Sequence, residues 1–316
     1  MDFSRIQSVI DIPVLQSKTV TIFGAGGSAG LIQDLTRSGI RSWKLVDPDR
    51  VGVENMSRQD HDPGDVGRFK VDAVRDKILG LNPGADVRTI RQDCTSMTDA
   101  EARDEFPNTD LFIAATDNHQ CQAFVNRLSL IHTVSAVFIG LYPQALGGEV
   151  VWTDPARLDC CYRCLCPSRY QAHELAKVTG QSLDPTSMGA DICGIRILDA
   201  IAVQIVIGLL TQGSENRMGR LIPQLDDRQF IQVTLSPDFQ INGRDIVRER
   251  LGVAPGNPGY FSCNSVALAD PDQGQLPCED CRNFRQHQFF QVDGKWRRFT
   301  SPESRSTHPI NSESQD

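Results

Sequence analysis

"TVTIFGAGGSAGLIQDL", residues 19–35, opens on a short apolar run, passes glycines at 24, 26 and 27, and continues into a segment that can start a helix. A strand, a tight turn and a helix in that order let backbone N–H groups approach a phosphate, and the helix N-terminus adds its dipole. The spacing G-x-G-x-x-G/A is met by Gly24, Gly26 and Ala29. Asp47 ends the next apolar run, where a ribose-binding acid belongs. Alone, this pattern suits a nicotinamide or flavin as well as ATP, and a glycine turn without a ligand also fits.

Outward from this turn the first half alternates. Strands are predicted at Val20–Phe23, Ser42–Asp47, Val87–Gln92 and Asp110–Asp117, with helices at Ala29–Ser38, Phe69–Leu79 and Asn118–Leu130. The alternation implies right-handed crossovers and a parallel sheet, with ligands beyond the carboxyl ends of the strands. Gly24, Asp47 and Asp117 fall at such ends. After Thr133, "TVSAVFIGL" and "GGEVVWTD" read as antiparallel strands around a turn. Ser168–Ala190 reads as a polar loop, Ile195–Leu210 as a buried helix, and "FIQVTL" as a strand. The expected fold class is α/β, Rossmann-like: a mostly parallel sheet with flanking helices, an antiparallel C-terminal part and a cysteine knuckle. It forms a single domain over residues 1–300, with a nucleotide half to about 132, a second half from 133, and a disordered tail at 301–316.

The chain has 316 residues, enough for a sizeable core, and a net charge of −8, which argues against nucleic-acid binding by electrostatics. No apolar run reaches membrane-spanning length, since Gln204 interrupts the longest, near Ile201–Leu210. "MDFSRIQSVIDI" lacks the order of a signal peptide. The chain therefore reads as soluble and cytoplasmic, and its ten cysteines as thiols or metal ligands rather than disulfides.

The residues beyond the glycine turn select among nucleotides. "VDPDRVGVENMSRQ" (46–59), "VGRFKVDAV" (66–74) and "ATDN" (115–118) place Arg58 and Lys70 in an otherwise acidic chain. A dehydrogenase has no need of fixed cations there. Splitting ATP between its α- and β-phosphates does, because arginine and lysine compensate the charge on departing pyrophosphate. Taken singly, each could be a surface charge.

The order glycine loop, D-x-D, N-x-x-R-Q, G-x-x-K, T-D-N, C-x-x-C resembles the ubiquitin-activating enzymes and their bacterial relatives ThiF, MoeB and HesA. The likeness runs from about Phe3 to Leu210, with a short piece near Cys278. It implies an enzyme that binds MgATP and adenylates the C-terminal glycine carboxylate of a ubiquitin-like or sulfur-carrier protein. By position, Gly24, Gly26 and Gly27 would cradle phosphate and Asp47 would hold the ribose. Asn55 and Arg58 would meet the phosphates, Lys70 the triphosphate, and Asp117 would organise Mg²⁺. Arg5, in an N-terminal helix, would reach into a partner's site, making a homodimer. This sequence departs from the family pattern at Ala29, where a glycine is usual and Gly30 stands beside it. Ionised carboxylate needs no base, so positioning, metal and charge compensation suffice for the chemistry.

Cys161/Cys164 and Cys278/Cys281 form two C-x-x-C pairs, the pattern of a closed, structural Cys₄ zinc site, with Cys160 and Cys166 as alternative ligands. Buried core thiols are the bland alternative. Cys193, between the polar loop and the apolar helix, is either a nucleophile that takes the acyl group as a thioester or a packed thiol. Cys94, Cys121 and Cys263 read as structural. Competing functions are activation of a peptide, small-molecule or tRNA carboxylate, a non-catalytic zinc-stapled scaffold for a ubiquitin-like protein, and a nicotinamide oxidoreductase. The last leaves Arg58, Lys70 and Asp117 without a role.

Overall fold

The computed structural model describes residues 1–184, 189–236, 262–267, 277–285, 289–292 and 295–298. Strands β1 (Thr19–Phe23), β2 (Ser42–Val46), β3 (Asp86–Ile90), β4 (Leu111–Ala114) and β5 (Ser135–Leu141) pair in parallel. β6 (Gly147–Thr153), β7 (Phe230–Thr234) and β8 (Ser262–Val266) continue the sheet antiparallel. The order is β3-β2-β1-β4-β5-β6-β7-β8, so strand order reverses between β1 and β4, where such sheets open a crevice. β1 and β4 are both interior strands, and all four residues of β4 are buried, as a strand covered on both faces requires. A separate hairpin pairs β9 (Phe289–Val292) with β10 (Lys295–Arg298).

Helices α1 (Ile12–Gln16), α2 (Ala29–Ser38), α3 (Lys70–Leu81), α4 (Asp99–Glu105) and α5 (His119–His132) belong to the parallel half. α6 (Tyr162–Leu165), α7 (Pro167–Thr179), α8 (Ile192–Leu210), α9 (Leu221–Leu225) and α10 (Glu279–Phe284) belong to the rest. The core divides by sheet face. One side gathers Val20, Ile22, Leu31, Leu35, Trp43, Val150, Trp152, Leu198, Ala202 and Val206, the other Phe23, Phe106, Phe112, Phe124, Phe138 and Tyr162.

The parallel strands, their helices and the antiparallel extension agree with the sequence expectation. Several elements differ from it. The segment expected as a loop from Ser168 contains α7, which has a proline in its first turn and ends on Gly180 at φ 71°. α4 has no counterpart in the expected pattern; Thr98 and Glu101 close a capping box at its start. "DFSRIQ" forms turns, not a helix. α8 runs for 19 residues with a mean hydropathy of 2.0, so by length and composition it could cross a bilayer, contrary to the sequence expectation. Its buried face, including Leu198, Ala202, Ile205 and Val206, packs into the core beside β5 and β6. The expected tail at 301–316 lies outside the described residues.

Candidate active site

β1 ends at Phe23, and Gly24 turns the chain at φ +92°. A Cβ there would stand 2.3 Å from the Ala115 carbonyl oxygen, so only glycine lets the turn lie against the end of β4. At Gly26 a Cβ would meet Gln59 Oε1 at 2.8 Å and Lys70 Cδ at 3.1 Å, whereas Gly27 faces open space. Asp47 locks this turn: one oxygen accepts from the Ala25 N–H at 2.8 Å and the other from the Asp49 N–H at 2.8 Å. Burial raises the Asp47 pKa, opposed by the nearby Lys70 charge and the two amides. Lys70 pairs with the exposed Asp49 at 2.8 Å. Asn55 is buried and accepts from the Gly52 N–H at 2.9 Å, fixing the short loop that carries Arg58.

A cavity of ≈ 370 Å³ opens beside this turn. Of the residues expected at the site, Gly27, Arg58 and Asp117 line it. Gly24, Gly26, Asp47, Asn55 and Lys70 frame the turn behind Gly27 and are not in that lining. Arg5 is exposed and lies outside it, in the N-terminal turn. Cys193 also lies outside it, although Ala190 and Ile195 on either side line the wall. Its thiol is exposed, not packed, and its backbone N–H donates to Asp191, the N-cap of α8, at 2.8 Å. Cys94 and Cys121 are buried with sulfurs 3.2 Å apart, as structural thiols, whereas Cys263, on β8, is exposed.

Sequence reasoning missed the far wall: His119, Glu149, Arg169, His173, Asp184 and Asp199. His119 and His173 stack at 3.9 Å, and burial pushes the His119 pKa down to about 4. Asp184 accepts from the His119 N–H at 3.0 Å, fastening the chain after α7 to the start of α5. Arg169 donates to the buried Glu149 at 2.5 Å. Arg196 lies over Gly30; a Cβ on Gly30 would stand 2.2 Å from its Nη1. Arg196 in turn pairs with Asp60 at 2.9 Å.

Asp199 is buried beside this arginine, and burial pushes its pKa up to about 7 against the pull of Arg196 and the Leu31 N–H. A folded pKa above the unfolded value means that the native state holds the proton more tightly. This group's contribution to stability is therefore present at low pH and is lost as pH rises from about 4 through 7. Asp199→Asn, which does not titrate, should lose less thermal stability than wild type between pH 5 and pH 8. Parallel Tm–pH curves for the two proteins would refute the buried-acid assignment.

Away from this cavity, the sulfurs of Cys161, Cys164, Cys278 and Cys281 all lie within 4.8 Å of one another. Adjacent pairs are separated by 3.8 Å (161–164), 3.5 Å (161–278) and 3.7 Å (164–281). A tetrahedral ion with zinc–sulfur bonds of about 2.3 Å needs sulfur–sulfur edges of about 3.8 Å. The four fit such an ion, and Cys160 and Cys166 lie outside the group. Asn126 donates to Cys161 at 3.6 Å and Arg285 to Cys281 at 3.4 Å, the outer contacts that orient thiolate ligands.

A glycine turn at a topological switch point, with Arg58 and Asp117 on one cavity wall and a separate cysteine cluster, defines a doubly wound α/β protein with its cavity where such sheets take ligands. Residues 7–233 match the ThiF family, and the chain belongs to it. It is 26% identical over 230 residues to Caenorhabditis elegans ubiquitin-like modifier-activating enzyme 5, covering 67% of this chain and 54% of that protein. It is 29% identical over 213 residues to a probable adenylyltransferase/sulfurtransferase, MoeZ, of Mycobacterium tuberculosis, covering 66% and 51%. The chain thus spans about half the length of these curated relatives. In fold it is similar to Escherichia coli MccB solved with MccA, with a TM-score of 0.60, 16% identity, and coverage of 85% and 68%. MccB solved with ATP gives 0.57, 15%, 81% and 65%.

Proposed function

We propose that this chain binds MgATP beside the glycine turn and adenylates the C-terminal carboxylate of a ubiquitin-like or sulfur-carrier protein, releasing pyrophosphate. The observation that supports it best is the cavity wall. Gly27, Arg58 and Asp117 share it, with Lys70 packed behind Gly26. The carrier carboxylate is ionised at neutral pH and attacks the α-phosphorus directly. Arg58 and Lys70 balance the charge that builds on the leaving pyrophosphate, and Asp47 braces the turn that receives the phosphates. Asp117 would hold magnesium, which supplies charge neutralisation on the phosphate oxygens. The Cys₄ group would hold structural zinc. Arg5 completing the site of a second copy in a homodimer, and a cytoplasmic setting, belong to the same reading.

Exchange of labelled pyrophosphate into ATP tests it, using a small protein ending in Gly-Gly as substrate. Exchange should require the carrier and vanish when its last glycine is deleted. The fold likeness to MccB supports a second reading, a peptide substrate; exchange driven by a free peptide but not by the carrier would favour it. No exchange with either, despite carrier binding, would leave only the scaffold.

Cys193 separates two kinds of activating enzyme. Its exposure at the start of α8, next to the cavity wall, suits a thiol that accepts the acyl group. Wild type with MgATP and carrier should then yield a conjugate that survives denaturation and is released by thiol. Cys193→Ala should lose the conjugate and keep pyrophosphate exchange. A persistent conjugate in the variant would remove Cys193 from the chemistry.

A further inference from the structure

The cysteine knuckle and the proposed nucleotide site are joined by a continuous chain of hydrogen bonds. Tyr162 sits between Cys161 and Cys164, fully buried, with its ring stacked on Phe138 at 4.0 Å. Its hydroxyl donates to Gln122 Oε1 at 2.9 Å. Gln122 Nε2 donates to the Thr116 carbonyl at 2.9 Å, and the next residue is Asp117. One turn along α5, Asn126 accepts from the Tyr162 N–H at 3.0 Å and donates to Cys161, so the knuckle grips this helix twice.

The direction of this chain is forced by the donor inventory. Arg169 hydrogen-bonds to the Tyr162 hydroxyl, and arginine can only donate. The tyrosine oxygen must accept from it, which turns the hydroxyl proton toward Gln122 Oε1. The Gln122 amide then has only N–H to offer the Thr116 carbonyl. A glutamate at 122 could not serve both neighbours when ionised. Glu149 anchors the other end: it accepts from Arg169 at 2.5 Å and from the Tyr142 hydroxyl. Gln122, Tyr162 and Glu149 are all buried, where a misdirected or missing partner is costly.

We propose that Tyr162 is a positioning residue for the nucleotide site: through Gln122 it holds, from the cysteine knuckle, the backbone that presents Asp117. The knuckle then does more than staple the C-terminal segment, because its folding sets the geometry of the strand end where metal and phosphate meet. This rests on the nucleotide reading of Asp117.

Tyr162→Phe tests it, because the variant keeps the ring on Phe138 and removes only the hydroxyl. The full-length, zinc-loaded protein should keep its metal content and lose only a few degrees of thermal midpoint, the cost of one buried partner. Without nucleotide, amide hydrogen exchange at residues 115–121 should quicken by about tenfold, the scale of one buried hydrogen bond. By calorimetry, MgATP should bind several-fold more weakly, whereas ATP without added magnesium should bind as to wild type. Gln122→Met, which cuts the same chain at its other end without touching the knuckle, should reproduce the exchange effect. Exchange and MgATP affinity both within twofold of wild type in Tyr162→Phe would overturn the proposal. So would zinc loss or a uniform speeding of exchange across the sheet in both variants, the mark of a merely structural role. If wild type binds no ATP, the nucleotide reading fails, and the exchange experiment still decides whether Tyr162 positions the Asp117 segment.

Discussion

Asp117→Ala should abolish carrier-dependent exchange of pyrophosphate into ATP, by about a thousandfold or more, while weakening ATP binding much less. The expectation comes from where the fold puts this carboxylate. β4 is buried along its whole length and stops at Ala114, so the chain emerges at the switch point between β1 and β4 with little freedom. Thr116 is held by Gln122, and Asn118 caps α5 by accepting from the Cys121 N–H at 2.8 Å. Between those two fixed residues Asp117 is exposed and lines the cavity that Gly27 and Arg58 also line. A group whose role is to place a metal against phosphate oxygens contributes most when charge moves, hence the larger effect on turnover than on binding. The glycine turn, Arg58 and Lys70 remain to bind nucleotide in the variant. Exchange within tenfold of wild type would remove Asp117 from the chemistry.

The near wall of this site is legible in the sequence because local rules govern it. A glycine that must turn against a strand end, an acid after the next strand and a cation in the loop beyond it sit at spacings set by strand and helix lengths. The far wall is not, because its members come from β6, α5, α7, the chain after α7, and α8, and meet only in the folded chain. Arg196 and Asp199 leave a trace: two charges three residues apart in an otherwise apolar run lie on one helix face. α7 reads as a loop in the sequence because Tyr170 and Ala176 are its only buried residues, too few for an amphipathic pattern. Pro167 at its start and Gly180 after its end are the available signals. The two C-x-x-C pairs announce a cluster by spacing alone. That Tyr162 between two of the cysteines connects to the backbone beside Asp117 depends on Phe138 and Gln122, which no spacing links to it.

Cys278→Ser together with Cys281→Ser should lower metal content and thermal stability in step. Purified wild type should carry about one zinc per chain, and the double variant close to none. The cluster joins segments separated by more than a hundred residues, since Cys161 lies 3.5 Å from Cys278 and Cys164 lies 3.7 Å from Cys281. Without the metal, α10 is held by polar contacts and by Phe284 packed against Leu130 and Arg127. Asp280 accepts from Asn126 at 2.7 Å and from Arg163 at 3.0 Å, and Arg285 reaches the Leu158 carbonyl at 3.1 Å. Each such contact is worth about 1 kcal/mol net, whereas structural zinc contributes on the order of 10 kcal/mol where the apo segment unfolds. A fall in Tm of about 10 °C is therefore expected, at roughly 2–4 °C per kcal/mol for a chain of this size when only part of that metal energy is lost. The helix cap does not confound the result. The Cys278 sulfur now accepts from the Cys281 N–H at 3.5 Å, and serine is a better N-cap than cysteine. Cys281 is buried and accepts from Arg285, so a serine there has a cost of its own, and the metal's share is read from wild type stripped of its metal. Wild type stripped by chelator should fall most of the way to the midpoint of the double variant; a metal-free protein that keeps its Tm would show that the thiols meet without holding the fold together.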